Sequence, residues 1–388
     1  VAGCGWEGTE ENIMLKVNAA TLKKISTLLG KYTGEIGRVR PLYLCGIEAG
    51  DESSLLVRTM LGGLTPQDAE ASVLLEGDGE DREEPVIWEA CVSARELSKA
   101  MAKGPASLEP TPDGGITVTS GGCTSTVANA IPLEDLPVYP GLPDEIRSVA
   151  CIRRSALDTL KWVLDAVSMD EFRPAIECLY LEAEKEAKPA AFVSTDGHRL
   201  HHAPAGEDVS IGVDCLLPGG MGRLAVALQA ILPGDDWQIH LQDAEGGTPL
   251  RIDAGSWEVV GVEPDLPYPD HSRAVPRAFP VEVGANRREL QRLAKQLLKG
   301  ASVGGAGRIT FNGAIDLRVN AEAGPIEASM PHLGHSGGDL DVGLNLAYLA
   351  AALEGTGKEV VIRGSDELGP VQIEHGDGKW AIVMPMRL

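Results

Sequence analysis

The chain has 388 residues, which at roughly 100–200 residues per domain places it between two and four domains. Its 43% apolar and 23% charged content excludes a wholly disordered chain, and no run of 18 apolar residues exists to form a membrane helix. A formal net charge of −23 argues against nonspecific binding of nucleic acid or anionic lipid by the surface as a whole.

In chain order, residues 1–13 fall outside any pattern and read as an extension, with Met14 as a candidate start. Residues 14–31 predict a short strand leading into an amphipathic helix, with Leu22, Ile25 and Leu29 turned away from Lys24 and Lys31. The acidic run at 76–85 reads as an exposed loop. A helix is expected over 93–103 and a hairpin over 116–130, followed by DLPVYP at 135–140. The succession then recurs: strand and helix at 150–167, helix at 219–230, hairpin at 249–262, DLPYPD at 265–270. It recurs once more, at 281–300, 345–355 and 370–388. The expectation is an α+β chain of three tandem copies of one module, at 14–144, 145–276 and 277–388. The first boundary follows a stretch bearing Pro137, Pro140 and Pro143. Seven cysteines, odd in number and without C-x-x-C spacing, argue against a disulfide framework or a cysteine zinc site. They point to a reducing cytoplasm.

The positive charge is unevenly distributed. At about 100° per residue, Leu290, Leu293, Ala294, Leu297 and Leu298 share one face of the helix near 287–299. Arg288, Arg292, Lys295 and Lys299 share the other. In the second repeat Arg153, Arg154 and Lys161 do not separate from the apolar stripe. A basic stripe without aromatic residues suits phosphate contact, although a solvated face explains a single stripe equally well.

The segment 191–203 reads as a strand, a tight Thr195-Asp196-Gly197 turn and a second strand. Asp196 and His198 admit a hydrolase reading, but no nucleophile elbow accompanies them. His198, His201, His202, His332 and His335 are metal-ligand types that sequence does not gather into a site, so no metal and no cofactor is assigned. The Gly-rich 217–222 lacks a P-loop's Lys and reads as a helix entry. At the end of the chain, Pro385 interrupts strand pairing and leaves Met384, Met386 and Leu388 as apolar contact atoms.

Three strings, STDGHRL (194–200), VGLNLAYLAAAL (342–353) and VMPMRL (383–388), resemble the bacterial beta sliding clamps, the processivity subunits of DNA polymerase III. The resemblance covers roughly 14–388. It implies a non-catalytic homodimeric ring of six similar domains, helices lining the hole and sheets outside, closed head to tail around duplex DNA of any sequence. It implies as partners the polymerase alpha subunit, a clamp loader that opens the ring, and other polymerases and repair proteins that insert a short peptide.

Carried onto matching positions, the peptide pocket comprises Ile176, Thr195, Gly197, His198, Arg199 and Leu200 from the second module. Pro269, Arg273, Ala274, Asn345 and Tyr348 would join them. Ile382, Val383, Met384, Pro385, Met386, Arg387 and Leu388 complete the pocket. Ala274 is smaller than the Val usual in the family. Arg173 would face DNA with Lys24, Lys31 and the 288–299 stripe, but Pro174 and Ala175 stand where some relatives carry two tyrosines. Leu297 and Leu298, opposite Thr126 and Ala128, are the implied subunit-interface positions. A specialised second clamp copy would have the same sequence features.

Overall fold

The structure, a computed structural model, describes residues 14–35, 39–50, 52–61, 69–77, 82–135, 147–170, 172–186, 188–232, 234, 236–241, 248–301, 304–322 and 324–388. The 1–13 extension, the prolines before the first expected boundary, that boundary itself and residues 78–81 of the acidic run lie outside them. Among the described residues, no helix is long and apolar enough to cross a membrane. The six described cysteines form no disulfide with one another.

Among the described residues, six α-helices alternate with antiparallel strands: α1 (Ala19–Tyr32), α2 (Ala94–Ala100), α3 (Leu157–Leu164), α4 (Gly219–Ile231), α5 (Arg287–Leu298) and α6 (Leu346–Ala352). Each helix of the expected repeat is present, and so is each expected hairpin. One device recurs. The strands Leu15–Asn18, Val281–Asn286 and Leu340–Asn345 each end in an Asn that caps the helix after it. Each side chain accepts a helix N–H that would otherwise be orphaned, an arrangement worth about 1 kcal/mol against Ala.

Contacts divide the chain into two compact units, Val1–Arg147 with Leu224–Val262, and Ser148–Arg223 with Glu263–Leu388. The span expected to be the middle module, 145–276, is therefore shared out between them, which sequence periodicity does not reveal. The physical reason is strand pairing. In the first unit the strand Trp257–Glu263 pairs antiparallel with Glu70–Gly77, Trp257 opposite Val73. In the second, Arg199–Pro204 pairs with Trp380–Val383, Leu200 opposite Ile382. Each pairing welds a strand of the middle repeat to a neighbouring repeat through backbone hydrogen bonds.

Within the second unit a sheet runs through Cys178–Glu182, Ala191–Thr195, Arg199–Pro204, Trp380–Val383, Val371–His375, Glu359–Gly364 and Val281–Asn286. The apolar cores are largely aliphatic, but Trp237, Trp257, Phe192 and Phe311 are among the largest fully buried side chains. Leu22, Ile25 and Leu29 of α1 are fully covered, and so are Leu200, Ile382 and Val383 at the heart of the second unit's sheet.

Candidate functional site

The turn at Asp196–His198 joins two paired strands, Thr195 opposite Leu200. Asp196 organises it. One carboxylate oxygen accepts the backbone N–H of His198 at 2.8 Å and of Arg199 at 3.0 Å, and the other accepts Arg199 Nε at 3.1 Å. Gly197 has φ +89°, and a Cβ there would lie 2.7 Å from Arg173 Nη1. Arg173 donates to the Asp196 carbonyl at 3.2 Å and pairs with Asp170 at 2.7 Å. Its hydrogen bond holds the Asp170 carboxyl below the usual range. Arg199 pairs with Asp165 at 2.7 Å and lies 4.7 Å above the Tyr348 ring, with only 13% of its side chain exposed. Both arginines therefore shape the turn.

The chain end closes against this turn. Leu200 and Ile382 belong to one buried cluster with Ala191 and Val193, and Tyr180, Tyr268, Ala274 and Trp380 pack on it. The last strand stops at Val383, as Pro385 demands. Met384 then donates its N–H to the His198 carbonyl at 2.8 Å, and Met386 to the Gly343 carbonyl at 2.8 Å. Gly343 makes room for the tail, since a Cβ there would meet the Met386 carbonyl oxygen at 2.3 Å. Asn345 accepts the N–H groups of Ala347 and Tyr348, so it positions Tyr348 by capping α6.

Most of the expected pocket is thus gathered in one unit, with a division of labour that sequence did not show. Leu200, Ile382 and Val383 are covered and form the packing beneath. Ile176 is also buried, and its carbonyl accepts the Ser168 N–H. Thr195 donates its hydroxyl to the Arg199 carbonyl. The open apolar atoms belong to Met384, 40% exposed, and Leu388, 57% exposed. His198, Pro269, Arg273 and Arg387 are exposed, and Arg273 pairs with Asp270 inside its own turn.

The α5 faces fall as periodicity predicts. Leu290, Leu293, Ala294 and Leu297 are buried, while Arg288, Arg292, Lys295 and Lys299 are exposed. Lys295 is partly neutralised by Glu354 at 2.5 Å. Arg287, which sequence reading passed over, is buried and donates to the carbonyls of Leu353 and Gly357, tying down the end of α6. On α1, Lys24 and Lys31 are exposed. Arg153 and Arg154 precede α3, which is why treating them as helical blurred that stripe. Leu297 is 3% exposed, packed in its own unit, and offers no surface to another copy; Leu298 is half-buried and Thr126 and Ala128 are exposed.

The histidines part company. His201 is fully buried, stacked on Trp162 at 4.2 Å with Nδ1 at the Trp162 carbonyl, and burial pulls its pKa down to about 4. His332 and His335 lie edge to face. His198 Nδ1 stands 4.0 Å from Asp196, whose oxygens already serve the turn. His202 converges instead with Glu182 and His271.

No protein-family model matches the chain. Over 208 residues, 50% of this chain, it is 24% identical to the beta sliding clamp of Pseudomonas aeruginosa. That match spans about half the length of the curated relative, 54% of it. Among solved structures, the DNA polymerase III beta subunit of Thermotoga maritima superimposes with a TM-score of 0.76 at 19% identity, covering 97% of this chain and 100% of that one. The Bacillus subtilis sliding clamp gives 0.72 at 16% identity over the same shares. The Pseudomonas aeruginosa clamp bound to griselimycin gives 0.71 at 18%, again over 97% and 100%. The chain shares the sliding-clamp fold over 97% of its length.

Proposed function

We propose that two copies of this chain encircle duplex DNA as a sliding clamp and tether a replicative polymerase for processive synthesis. The chain is read as three clamp modules, 14–144, 145–276 and 277–388, each contributing a helix pair to the DNA side. The observation that carries this reading is the likeness to clamps over 97% of the chain, at TM-scores above 0.7. The charge distribution agrees with it. An acidic surface repels DNA in general, while Arg288, Arg292 and Lys299 of α5, with Lys24 and Lys31 of α1, offer phosphate contacts that need no base readout. Encirclement supplies retention, so tight chemical binding is unnecessary, and the role needs no catalytic group.

Closure of the dimer uses strand edges. Cys123–Val127 is the edge of its four-stranded sheet, with four of its five residues exposed. Gly324–Met330 is the edge of another, with Ile326 41% exposed. Edge strands of this kind present unpaired backbone groups. Thr126 and Ala128 of one copy would meet Ile326 and Leu298 of its partner. Partners, including the polymerase alpha subunit, the clamp loader and repair proteins, would insert a peptide with bulky apolar anchors beside Met384 and Leu388. Two such anchors contribute roughly 3–6 kcal/mol before ordering costs. The test is solution mass by light scattering. A stable species of twice the chain mass is expected; a monomer at micromolar concentration would remove the ring.

A further inference from the structure

Three elements of the second unit bring metal-ligand side chains to one point. Glu182 ends the strand Cys178–Glu182, His202 sits in Arg199–Pro204, and His271 opens the 3-10 turn His271–Ala274. Each offers one ligand atom, and these lie within 4.8 Å of one another. His271 Nε2 is 3.6 Å from Glu182 Oε2. An ion bound tetrahedrally at about 2.0–2.1 Å separates its ligand atoms by about 3.4 Å, so that pair already spans one edge of such a polyhedron.

A plain ion pair between His271 and Glu182 is the simpler alternative, but an ion pair has no use for His202. That ring is fixed by stacking on Trp380 at 4.6 Å, and its Nδ1 is buried with no hydrogen-bond partner among the described residues. Glu182 is 6% exposed and, besides His271, has Lys188 at 4.0 Å, which an arriving ion would displace towards solvent.

We propose that Glu182, His202 and His271 bind one divalent transition ion of the zinc class, with water at the remaining position. Two imidazoles and a carboxylate are a borderline donor set suited to that ion. The ion would fasten the segment carrying Pro269, Arg273 and Ala274 to the strands Cys178–Glu182 and Arg199–Pro204. This consequence for the cleft rests on the peptide-binding reading above; the metal site itself does not.

The test uses the full chain stripped with chelator and then titrated with Co2+ alone, followed by Zn2+ as competitor. One equivalent of Co2+ with a visible ligand-field band, displaced by Zn2+, is expected. Glu182→Gln, nearly the same shape, and His271→Ala should each weaken binding by about 100-fold, with circular dichroism unchanged. Absence of saturable binding at one equivalent overturns the site, as does binding equally strong in both variants. Peptide binding by the metal-free wild type is measured in parallel. If peptide binds and metal does not, the metal site alone fails; if metal binds and peptide does not, the cleft alone fails.

Discussion

On the outer face of α5, Arg288, Arg292 and Lys299 stand on a helix with their charges towards solvent, whereas around the 195–200 turn Arg173 and Arg199 are drawn back onto Asp170, Asp196 and Asp165. The same contrast holds between neighbours in sequence, since Arg287 is buried on two carbonyls and Arg288 is exposed. Exposed cations act at a distance, weakly and in a salt-dependent way. Arginines with carboxylate and carbonyl partners instead fix the shape of a loop, here the loop against which the chain end packs. The difference teaches that counting basic residues overstates the charge available to a polyanion. Position on the helix and distance to the nearest acid decide which cations remain.

The comparison can be broken most severely at the cleft. Deleting Met384–Leu388 should lower the affinity for an apolar-anchored peptide by about 100-fold or more, leaving dimer mass and circular dichroism intact. Titration calorimetry reads this; undiminished affinity would detach the tail from the site. Next in size is Arg287→Ala, which leaves the Leu353 and Gly357 carbonyls without their charged donor. It should cost about 3 kcal/mol in urea unfolding, against less than about 0.5 kcal/mol for Arg288→Ala. Equal losses at the two positions would erase the distinction between them.

Acid provides a third probe. His375 is buried, donates from Nε2 to the Ala352 carbonyl and lies edge-on to Trp162, facing Lys379, Asp377 and Arg287. Burial lowers its pKa, so the unfolded chain takes the proton first as pH falls. Its contribution is complete above about pH 6.5 and is lost on acidification, by at most about 1.4 kcal/mol per pH unit. His375→Gln should flatten that part of the stability–pH curve measured by chemical denaturation. The smallest energetic effect belongs to the exposed stripe. Arg288→Glu with Arg292→Glu should leave folding unchanged, yet reduce the slope of log affinity for DNA against log salt by about 2. An unaltered slope would make the stripe an ordinary solvated face.

How much of this was legible in sequence varied with range. The buried and exposed faces of α5 follow from the spacing of Leu290, Leu293, Ala294 and Leu297, because helical period is a local property. The hairpin at 191–203 and the strand stop before Pro385 were local too. Arg173, expected to face DNA, and Arg199, expected in the peptide pocket, could be matched to their partners Asp170 and Asp165 only in three dimensions. The Asn caps follow strands whose ends sequence does not mark sharply. The grouping of Glu182, His202 and His271 depends on two strands and a turn meeting, and no spacing rule announces it. The sharing of the middle repeat between two compact units likewise comes from pairings such as Leu200 with Ile382.

Retention on DNA tests the central claim most directly. The chain is loaded by a clamp loader onto nicked circular DNA, separated from free protein, and followed before and after the circle is cut once. Topological encirclement predicts that protein stays on the circle through a high-salt wash and runs off once the DNA is linear. Equal retention on circular and linear DNA, or loss of both in salt, would contradict it.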